Sequence, residues 1–322
     1  MKNTISYYYN LQIESISLSN SNYYIKSSGE TFMFYRTYRS IKEIADVYSL
    51  FNAFRNSYLI DKTIFNFFHK IILNKEFSPF TIVDNNCYVL LKLSNVSNDT
   101  ISIYDIKNII DSNINNFFSN NEFLKKHSSL VRFNWESLWK EKVDYIEYQL
   151  IHLGQEYDKL LPILYYFIGM GENAIYYVNQ IFTSSKFNTI NLKNISLSHR
   201  RVCSDTKLSD FFNPFNIVID HSSRDIAEYL KSCFINDSYD FNTIENFLNE
   251  LNFNNLDYNL LFARLLFPSL FLDLYIDCIN NNDLKKLLEI KERCDEYQLF
   301  LKNIYNIINN KTELLKIDWL IK

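Results

Sequence analysis

Glycine and proline are scarce in this chain of 322 residues, which contains only four of each. No glycine precedes Gly29, so the N-terminal region lacks the glycine loop that lets backbone N–H groups approach a phosphate closely. The five cysteines include no C-x-x-C pair, which disfavours a structural metal site. We interpret these cysteines as free, mostly buried thiols in a reducing compartment.

The chain also lacks an excess of positive charge and any long uninterrupted apolar run. Its net charge of −4 disfavours nucleic acid as the main partner. The N-terminal sequence MKNTISYYYN has no apolar core of a signal peptide. The stretch Leu160–Gly171 is too short to span a bilayer, and Leu260–Ile279 is interrupted by Arg264, Pro268 and two aspartates. We therefore expect no membrane span and folding in the cytosol.

Residues 1–94 have the pattern of a small sheet crossed by one helix. The spacing of apolar residues in Ile41–Phe54 predicts a helix, and Gly29 in the sequence SSGE predicts a hairpin turn. A second turn is predicted at DNN (84–86). The predicted strands are Leu11–Leu18, Tyr23–Lys26, Phe32–Tyr38, Phe80–Val83 and Tyr88–Leu93.

Residues 95–322 are predicted to form a larger, mostly helical lobe. Trp135 and Trp139 begin an apolar stripe that continues to Leu153, where Gly154 would end the helix. A central helix is predicted over Leu160–Ile181, with Gly169 and Gly171 as the place where it would break. The other predicted helices are Ile226–Phe234, Phe241–Leu251, Tyr258–Ile279 and Leu284–Ile308, and the one predicted strand is Asn216–Ile219.

Two aromatic groups have a structural and a functional interpretation. Trp135 and Trp139 fit the core side of a helix better than a stacking platform for a ligand. The run Tyr7-Tyr8-Tyr9 fits an edge strand of the small sheet, with an exposed adhesive patch as the alternative.

The segment around Asp220 combines a short strand with the start of a helix. Ile217-Val218-Ile219 is apolar and β-branched and ends at Asp220. Ser222 and Asp225 have the spacing of a capping box, in which Ser222 accepts from the first turn and Asp225 reaches back. On this pattern alone Asp220 is a turn residue and Asp225 stabilises a helix N-terminus.

Several longer segments resemble a known family. They are WESLWKEKVDYIE (135–147), YFIGMGENAIYYV (166–178), LSHRRV (197–202), NPFNIVIDHSSRDIAEYLK (213–231) and LLFARLLFPSLFLDLY (260–275). In these segments the chain resembles the YutH-type spore coat proteins, relatives of the CotS group in the protein-kinase-like superfamily. The resemblance implies an α+β, aminoglycoside-phosphotransferase-like fold with two lobes, the smaller one rich in strands.

Compared with active kinases of this fold, the catalytic loop of this chain is degenerate. An active loop reads His-Gly-Asp, with an Asn five residues after the Asp. Here His199 matches, Arg200 replaces the Gly, Arg201 replaces the catalytic Asp, and Thr206 replaces the metal-binding Asn. Arginine cannot act as a base near neutral pH because its guanidinium group stays protonated.

The nucleotide-binding features that the resemblance implies are also incomplete. Asp220 keeps the type of a Mg²⁺-binding Asp at the end of a strand, and Asp205 is a substitute base only if the loop changes register. The phosphate-covering loop would lie at Ser17–Asn22, without glycine. The nearest cation to the expected strand lysine is Arg36, with Glu43 as its ion-pair partner, or Arg36 is a solvated strand residue.

Three roles remain open for Arg200 and Arg201. They pair with Asp220 or Asp225 and lock the former active site, they form an anion site, or they are solvated.

The sequence thus favours a catalytically degenerate kinase-like protein, for which we expect no cofactor. The resemblance implies synthesis in the mother cell and assembly at the spore coat through protein partners, including other coat proteins. The alternative is an atypical small-molecule phosphotransferase, with ATP and Mg²⁺ as cofactors, that uses Asp220 for Mg²⁺ and Asp205 as base. A third interpretation is a helical scaffold in a lineage that no longer forms spores.

Overall fold

The computed structural model describes residues 1–57, 62–97, 99–112, 115–153, 161–183, 195–281 and 293–321. Their packing defines two compact units, each made of separate chain segments. Unit 1 comprises Met1–Val131, Ile195–Arg200 and Asp205–Asp220, and unit 2 comprises Arg132–Asn194, Arg201–Ser204 and His221–Lys322. The lobe boundary predicted after residue 94 is a different division and stays a prediction. The predicted helix end at Gly154, the start at Leu160 and the stretch 284–292 lie outside the described residues.

Unit 1 contains a six-stranded antiparallel sheet. Its strands are β1 (Ser15–Ser19), β2 (Asn22–Ser27), β3 (Glu30–Thr37), β4 (Lys70–Ile72), β5 (Thr81–Val83) and β6 (Asn86–Lys92). The order is β1-β2-β3-β6-β4, and β5 also pairs with β6. Four of the five predicted strands are confirmed, and the prediction for Leu11–Leu18 is correct only from Ser15 onwards. The three-residue β4 was not predicted.

Two-residue turns set the register of the hairpins. Asn20 and Ser21 join β1 to β2, Ser28 and Gly29 join β2 to β3, and Asp84 and Asn85 join β5 to β6; all six have positive φ. Such pairs of left-handed residues match the right-handed twist of the strands that they connect. The turns predicted at SSGE and DNN are therefore confirmed.

The helices of unit 1 include the predicted helix across the sheet. They are α1 (Lys2–Tyr9), α2 (Ile41–Asn56), α3 (Lys62–Phe65), α4 (Ile103–Asp111), α5 (Asn115–Phe118), α6 (Asn121–Lys126) and, later in the chain, α9 (Leu208–Phe211). Helix α2 starts at a capping box: the Glu43 N–H donates to the Ser40 hydroxyl, and the Ser40 N–H donates to the Glu43 carboxylate.

Helix α1 corrects the prediction for the tyrosine run, because Tyr7–Tyr9 end a helix and do not form an edge strand. Ile5 and Tyr9 are four residues apart and pack on one face of the sheet with Phe34. The hydroxyl groups of Tyr9 and Thr81 lie 2.9 Å apart. The partners of Tyr9 lie on strands that are distant in sequence, so the spacing of the tyrosines alone does not predict this helix.

Two further strands, β7 (Ile195–His199) and β8 (Ile217–His221), pair with each other and are buried along their whole length. The prediction of one strand near Asn216–Ile219 is confirmed as β8. Strand β7 was not predicted, although the alternation of serine with Ile195 and Leu197 has the period of a strand. Its serines Ser196 and Ser198 are buried as well.

The described part of unit 2 is helical. Its helices are α7 (Trp135–Leu153), α8 (Leu161–Thr183), α10 (Ser223–Ile235), α11 (Phe241–Glu250), α12 (Asn255–Leu266), α13 (Ser269–Asn281), α14 (Cys294–Lys311) and α15 (Asp318–Ile321). Trp135 and Trp139 are buried and stacked on each other, as predicted for core residues. Helix α8 continues through both glycines, so the break expected there is wrong.

Pro268 divides the helix that was predicted over Tyr258–Ile279 into α12 and α13. By length and mean hydropathy the stretch Asn255–Asn281 passes the test for a membrane span among the described residues, but 78% of its apolar window is buried inside the protein. Buried core helices commonly pass that test.

Candidate functional site

His199, at the end of β7, has a structural partner. Its ring is 1% exposed and stacks on Phe211 with centroids 4.1 Å apart. Its Nε2 lies 2.8 Å from the carbonyl oxygen of Phe211, which accepts the hydrogen bond. Through these two contacts His199 joins β7 to α9 within unit 1.

Backbone hydrogen bonds fix Arg200 and Thr206, two residues of the segment that follows β7. The Arg200 N–H donates to the Asn216 carbonyl at 2.8 Å, immediately before β8. Thr206 stands where the metal-binding Asn was expected, and its carbonyl accepts from the Ile101 N–H at 2.9 Å. Asp205, the alternative base, is exposed.

Asp220 lies near the end of β8 and is completely buried. It is the one metal-binding residue type retained from the expected pair of Asp and Asn. Within the described ranges, no three His, Cys, Asp or Glu side chains form a group that could hold a metal ion. Of the two side chains that hold the metal in kinases of this fold, Asp220 is therefore present, and Thr206 stands in place of the Asn.

Arg201 occupies the position of the catalytic base and forms an ion pair with Asp273 of α13. Lys142 of α7 pairs with the same carboxylate, so two cations converge on Asp273. The partner of Arg201 is thus Asp273, and not Asp220 or Asp225 as expected for a lock of the former active site. For Arg200 that hypothesis stays a prediction.

The segment predicted to cover a phosphate, Ser17–Asn22, is a tight hairpin turn and not a loop. Of Ser17–Asn22, only Asn20 and Ser21 lie outside the strands, because Ser19 already pairs with Asn22. A tight turn with its backbone groups committed to the hairpin ladder cannot wrap around phosphates as a flexible glycine loop does.

The ion pair expected between Arg36 and Glu43 is replaced by another. Arg36 donates to the Asn86 side chain at 2.5 Å and lies over the ring of Tyr38, whereas Glu43 pairs with Arg39 at 3.8 Å. Burial acts to raise the pKa of Glu43, but the Ser40 N–H and the Arg39 guanidinium outweigh it and lower that pKa.

Arg39 is the residue of this region that the sequence analysis missed. It is 5% exposed and donates to two backbone carbonyls, that of Phe215 just before β8 at 2.9 Å and that of Ile217 at the start of β8 at 2.6 Å. Tyr35 of β3 also packs its ring on Phe215, with centroids 6.2 Å apart. The spacing of four residues between Arg39 and Glu43 was the available signal.

The prediction of a capping box at Ser222 is wrong, because the Ser222 side chain does not cap the helix. Ser222 has helical backbone angles, and its buried hydroxyl makes no capping hydrogen bond. The Ser223 N–H instead donates to Nδ1 of His221, 3.2 Å away. Nε2 of His221 lies 3.1 Å from the Asp257 carboxylate, so the start of α10 is joined to the start of α12.

A buried ionic cluster lies within the DIAEYLK motif and its neighbours, formed by Glu228, Lys231, Arg264 and Ser269. The Lys231 ammonium lies 3.0 Å from Glu228 and 2.6 Å from the Ser269 hydroxyl, and Nε of Arg264 lies 2.8 Å from Glu228. The Arg264 guanidinium also lies over the ring of Trp135. Each charge in this cluster therefore has an opposite charge and further hydrogen bonds, which burial requires.

The cluster also supports the break between α12 and α13. Lys231 donates to the carbonyls of Arg264 and Phe267, both at 3.1 Å. Since Pro268 has no N–H, the Arg264 carbonyl lacks its partner in the helix, and the ammonium replaces it. Burial lowers the pKa of Lys231 to about 8. Burial acts to raise the pKa of Glu228, but the two cations outweigh it and hold that pKa well below its ordinary value.

These features can be compared with known proteins. The family model described as "Spore coat putative kinase YutH" matches residues 2–310. The chain belongs to the YutH family. One member, the endospore coat-associated protein YutH of Bacillus subtilis (strain 168), is 25% identical over 210 residues, which is 58% of this chain and 61% of that protein. The match thus spans less than two thirds of that relative.

Solved structures agree with the family on the fold. An aminoglycoside phosphotransferase from Alicyclobacillus acidocaldarius superposes with a TM-score of 0.66 and 11% identity, covering 96% of each chain. An AMP-bound spectinomycin phosphotransferase superposes with a TM-score of 0.58 and 11% identity, covering 95% of this chain and 96% of that one. At such identities the likeness concerns the fold alone, and it confirms the predicted aminoglycoside-phosphotransferase-like class.

Proposed function

We propose that this member of the YutH family is a catalytically inactive kinase-fold protein that acts at the spore coat through contacts with other proteins. One observation carries the loss of catalysis: the position of the base holds Arg201, whose guanidinium is engaged by Asp273. A permanently protonated group cannot accept the proton of a substrate hydroxyl.

Further features support the same proposal. The tight turn at Asn20-Ser21 and the replacement of the metal-binding Asn by Thr206 both remove means of positioning a nucleotide. Phosphoryl transfer depends almost wholly on positioning and charge stabilisation, so several simultaneous losses are incompatible with turnover. The coat assignment rests on the description of the family and on the name of the Bacillus relative.

Buried Asp220 favours a second candidate, an atypical phosphotransferase with Mg²⁺ on Asp220 and exposed Asp205 as base. A thermal-shift titration with ATP, with and without Mg²⁺, distinguishes the two, because a ligand that binds only the folded state raises Tm. We expect no Mg²⁺-dependent rise at millimolar nucleotide, while an active aminoglycoside phosphotransferase in the same assay shows one. A Mg²⁺-dependent rise that Asp220→Ala abolishes would overturn the proposal.

The coat role has its own experiment. A fluorescent fusion of the full chain, expressed during sporulation of the source organism, is expected first in the mother cell and then around the developing spore. A diffuse signal in the mother cell throughout sporulation would contradict it. A source organism without sporulation genes would favour the third interpretation, a scaffold unrelated to spores.

A further inference from the structure

Strand β1 is an open edge of the sheet in unit 1. In the described part of the chain it has a ladder neighbour on one side only, β2. Soluble proteins usually block such an edge with charged side chains, proline or a covering element. The five residues of β1, Ser-Ile-Ser-Leu-Ser, include neither a charge nor a proline. Leu18 is 63% exposed there, although it is apolar.

The outward-facing backbone groups of β1 follow from its turn. Ser19 and Asn22 close a two-residue turn, so they are a hydrogen-bonded pair, and the N–H and C=O groups of Ser17 also point to β2. Alternate residues of a strand present these groups to opposite sides. The N–H and C=O groups of Ile16 and Leu18 therefore point away from the sheet, ready to pair with another strand.

The sequence of β1, Ser-Ile-Ser-Leu-Ser, has the same pattern of polar and apolar residues in both directions. In an antiparallel pair of two copies with Ser17 facing Ser17 of the second copy, Ile16 faces Leu18, and Ser15 faces Ser19. Residues that face each other in such a pair lie on the same face of the sheet, so apolar side chains meet apolar ones and hydroxyls meet hydroxyls. No like charges face each other.

Other registers are less favourable. Moving the axis to Ile16 would place Glu14 against Leu18, and moving it to Leu18 would place Ile16 against Asn20. An axis between two residues is excluded, because the outward N–H and C=O groups would then face residues whose own groups point inward. The pairing around Ser17 is the one in which both outward residues exchange backbone hydrogen bonds and every side chain meets its own kind.

We propose that β1 binds the β1 strand of a second copy of this chain, antiparallel and with Ser17 on the two-fold axis, so that the sheet continues from one copy into the other. The edge fits this occupant because a two-fold interface requires a self-complementary surface. This self-association adds a defined contact to the proposed binding role. It does not depend on the loss of catalysis, so its failure would leave the outcome of the nucleotide titration unaffected.

Ser17 gives a test that depends on the register. It is exposed, and its side chain would directly face the same side chain of the second copy. Ser17→Lys or Ser17→Glu would place like charges opposite each other on the axis, which opposes pairing. A mixture of the two variants would place opposite charges there and restore pairing between unlike copies.

Sedimentation equilibrium of the full chain measures the outcome, at concentrations up to about 200 µM because an interface this small associates weakly. We expect wild type to dimerise, each Ser17 variant to associate at least about tenfold more weakly, and the mixture to recover the wild-type dimer, a tenfold change being about 1.4 kcal/mol. The matched control is Ile82→Lys. Ile82 is an exposed residue of β5, which does not pair with β1, so this variant should dimerise as wild type does.

Each alternative result overturns the proposal. A monomeric wild type over the whole range removes the interface. A dimer that both Ser17 variants retain, or that Ile82→Lys abolishes, assigns association to another surface. Failure of the mixed variants to pair rejects the axis at Ser17. Circular dichroism of each variant checks that the fold is intact, so that loss of association is not loss of structure.

Discussion

Lys231 is a charged residue whose contribution depends on complete burial. Its ammonium group has a carboxylate, a hydroxyl and two backbone carbonyls as partners, and none of these groups is more than slightly exposed. Removing one partner of a buried ion pair leaves an uncompensated charge, which destabilises a protein far more than losing a surface pair does. In this fold the same ammonium also replaces the N–H that Pro268 lacks.

We predict that Lys231→Met lowers the free energy of unfolding by about 3–5 kcal/mol, because it leaves Glu228 buried without one of its cations and removes the hydrogen bonds of the ammonium to the Arg264 and Phe267 carbonyls. Urea denaturation followed by circular dichroism measures the change. The control is Lys107→Met, which removes an exposed helical pair with Asp111 and should change stability by about 0.5 kcal/mol or less. Equal effects of the two substitutions would contradict the buried role.

Burial of His69 makes the stability of unit 1 depend on pH. Burial lowers its pKa from 6.5 to about 4, and its Nδ1 lies 3.0 Å from the Ser94 hydroxyl. Because the folded pKa is lower than the unfolded one, the unfolded chain binds the proton more readily. The stabilisation is complete above about pH 6.5, decreases as the pH falls, and is lost below about pH 4.

We predict that His69→Asn removes this part of the pH dependence, since an amide keeps an acceptor for the Ser94 N–H but does not titrate. Between pH 7 and pH 4 the unfolding free energy of wild type should fall by up to about 3 kcal/mol more than that of the variant, at about 1.4 kcal/mol per unit of pKa. All other titrating groups are common to both proteins. Parallel pH profiles of the two proteins would reject the assignment.

At the scale of elements, the two glycines of α8 face different surroundings. A Cβ atom at Gly171 would lie 2.9 Å from Cγ2 of Val143, so this glycine allows the close packing of α8 on α7. A Cβ atom at Gly169 would meet nothing within 4 Å. One glycine is therefore required by packing, and the other weakens the helix without a steric benefit inside the unit.

We predict opposite effects of the same substitution at these two positions. Gly171→Ala should destabilise by about 1–3 kcal/mol through the contact with Val143, whereas Gly169→Ala should stabilise by about 0.5–1 kcal/mol through helix propensity. Urea midpoints of the two variants, measured side by side, are the test, and each variant is the control for the other. Destabilisation of similar size at both positions would mean that the packing argument is wrong.

At the scale of the whole molecule, unit 1 is assembled from segments that are far apart in the sequence. The His69 N–H donates to the Phe212 carbonyl at 3.1 Å, the rings of Phe68 and Phe212 lie 5.2 Å apart, and Arg39 donates to the carbonyls before and within β8. These contacts join the six-stranded sheet to residues 195–220. The sheet and its helices are thus incomplete without the later segment.

We predict that a fragment of residues 1–131 does not fold cooperatively, because it lacks these partners and exposes Phe68. A matched fragment in which residues 195–220 are attached through a flexible linker should recover near-ultraviolet circular dichroism and a sigmoidal urea transition. Cooperative unfolding of the shorter fragment alone would contradict the assignment of residues 195–200 and 205–220 to unit 1.

The sequence by itself determined the features that depend on neighbouring residues. Gly29 and the pair Asp84-Asn85 specify tight turns through their backbone preferences, and Ser40 with Glu43 begins α2 in the expected manner. The replacement of the catalytic Asp by Arg201 can also be read from the sequence. These signals are local, so no other part of the fold was needed to interpret them.

Only the tertiary structure decided the features whose partners are distant in sequence. Tyr7–Tyr9 became helical because a sheet face assembled from several strands accepts Ile5 and Tyr9, although a strand was the local expectation. Arg39 finds carbonyls more than 170 residues away, and Lys231 finds one that a distant proline leaves unpaired. Such contacts depend on where the chain returns in space, which periodicity and spacing along the sequence do not specify.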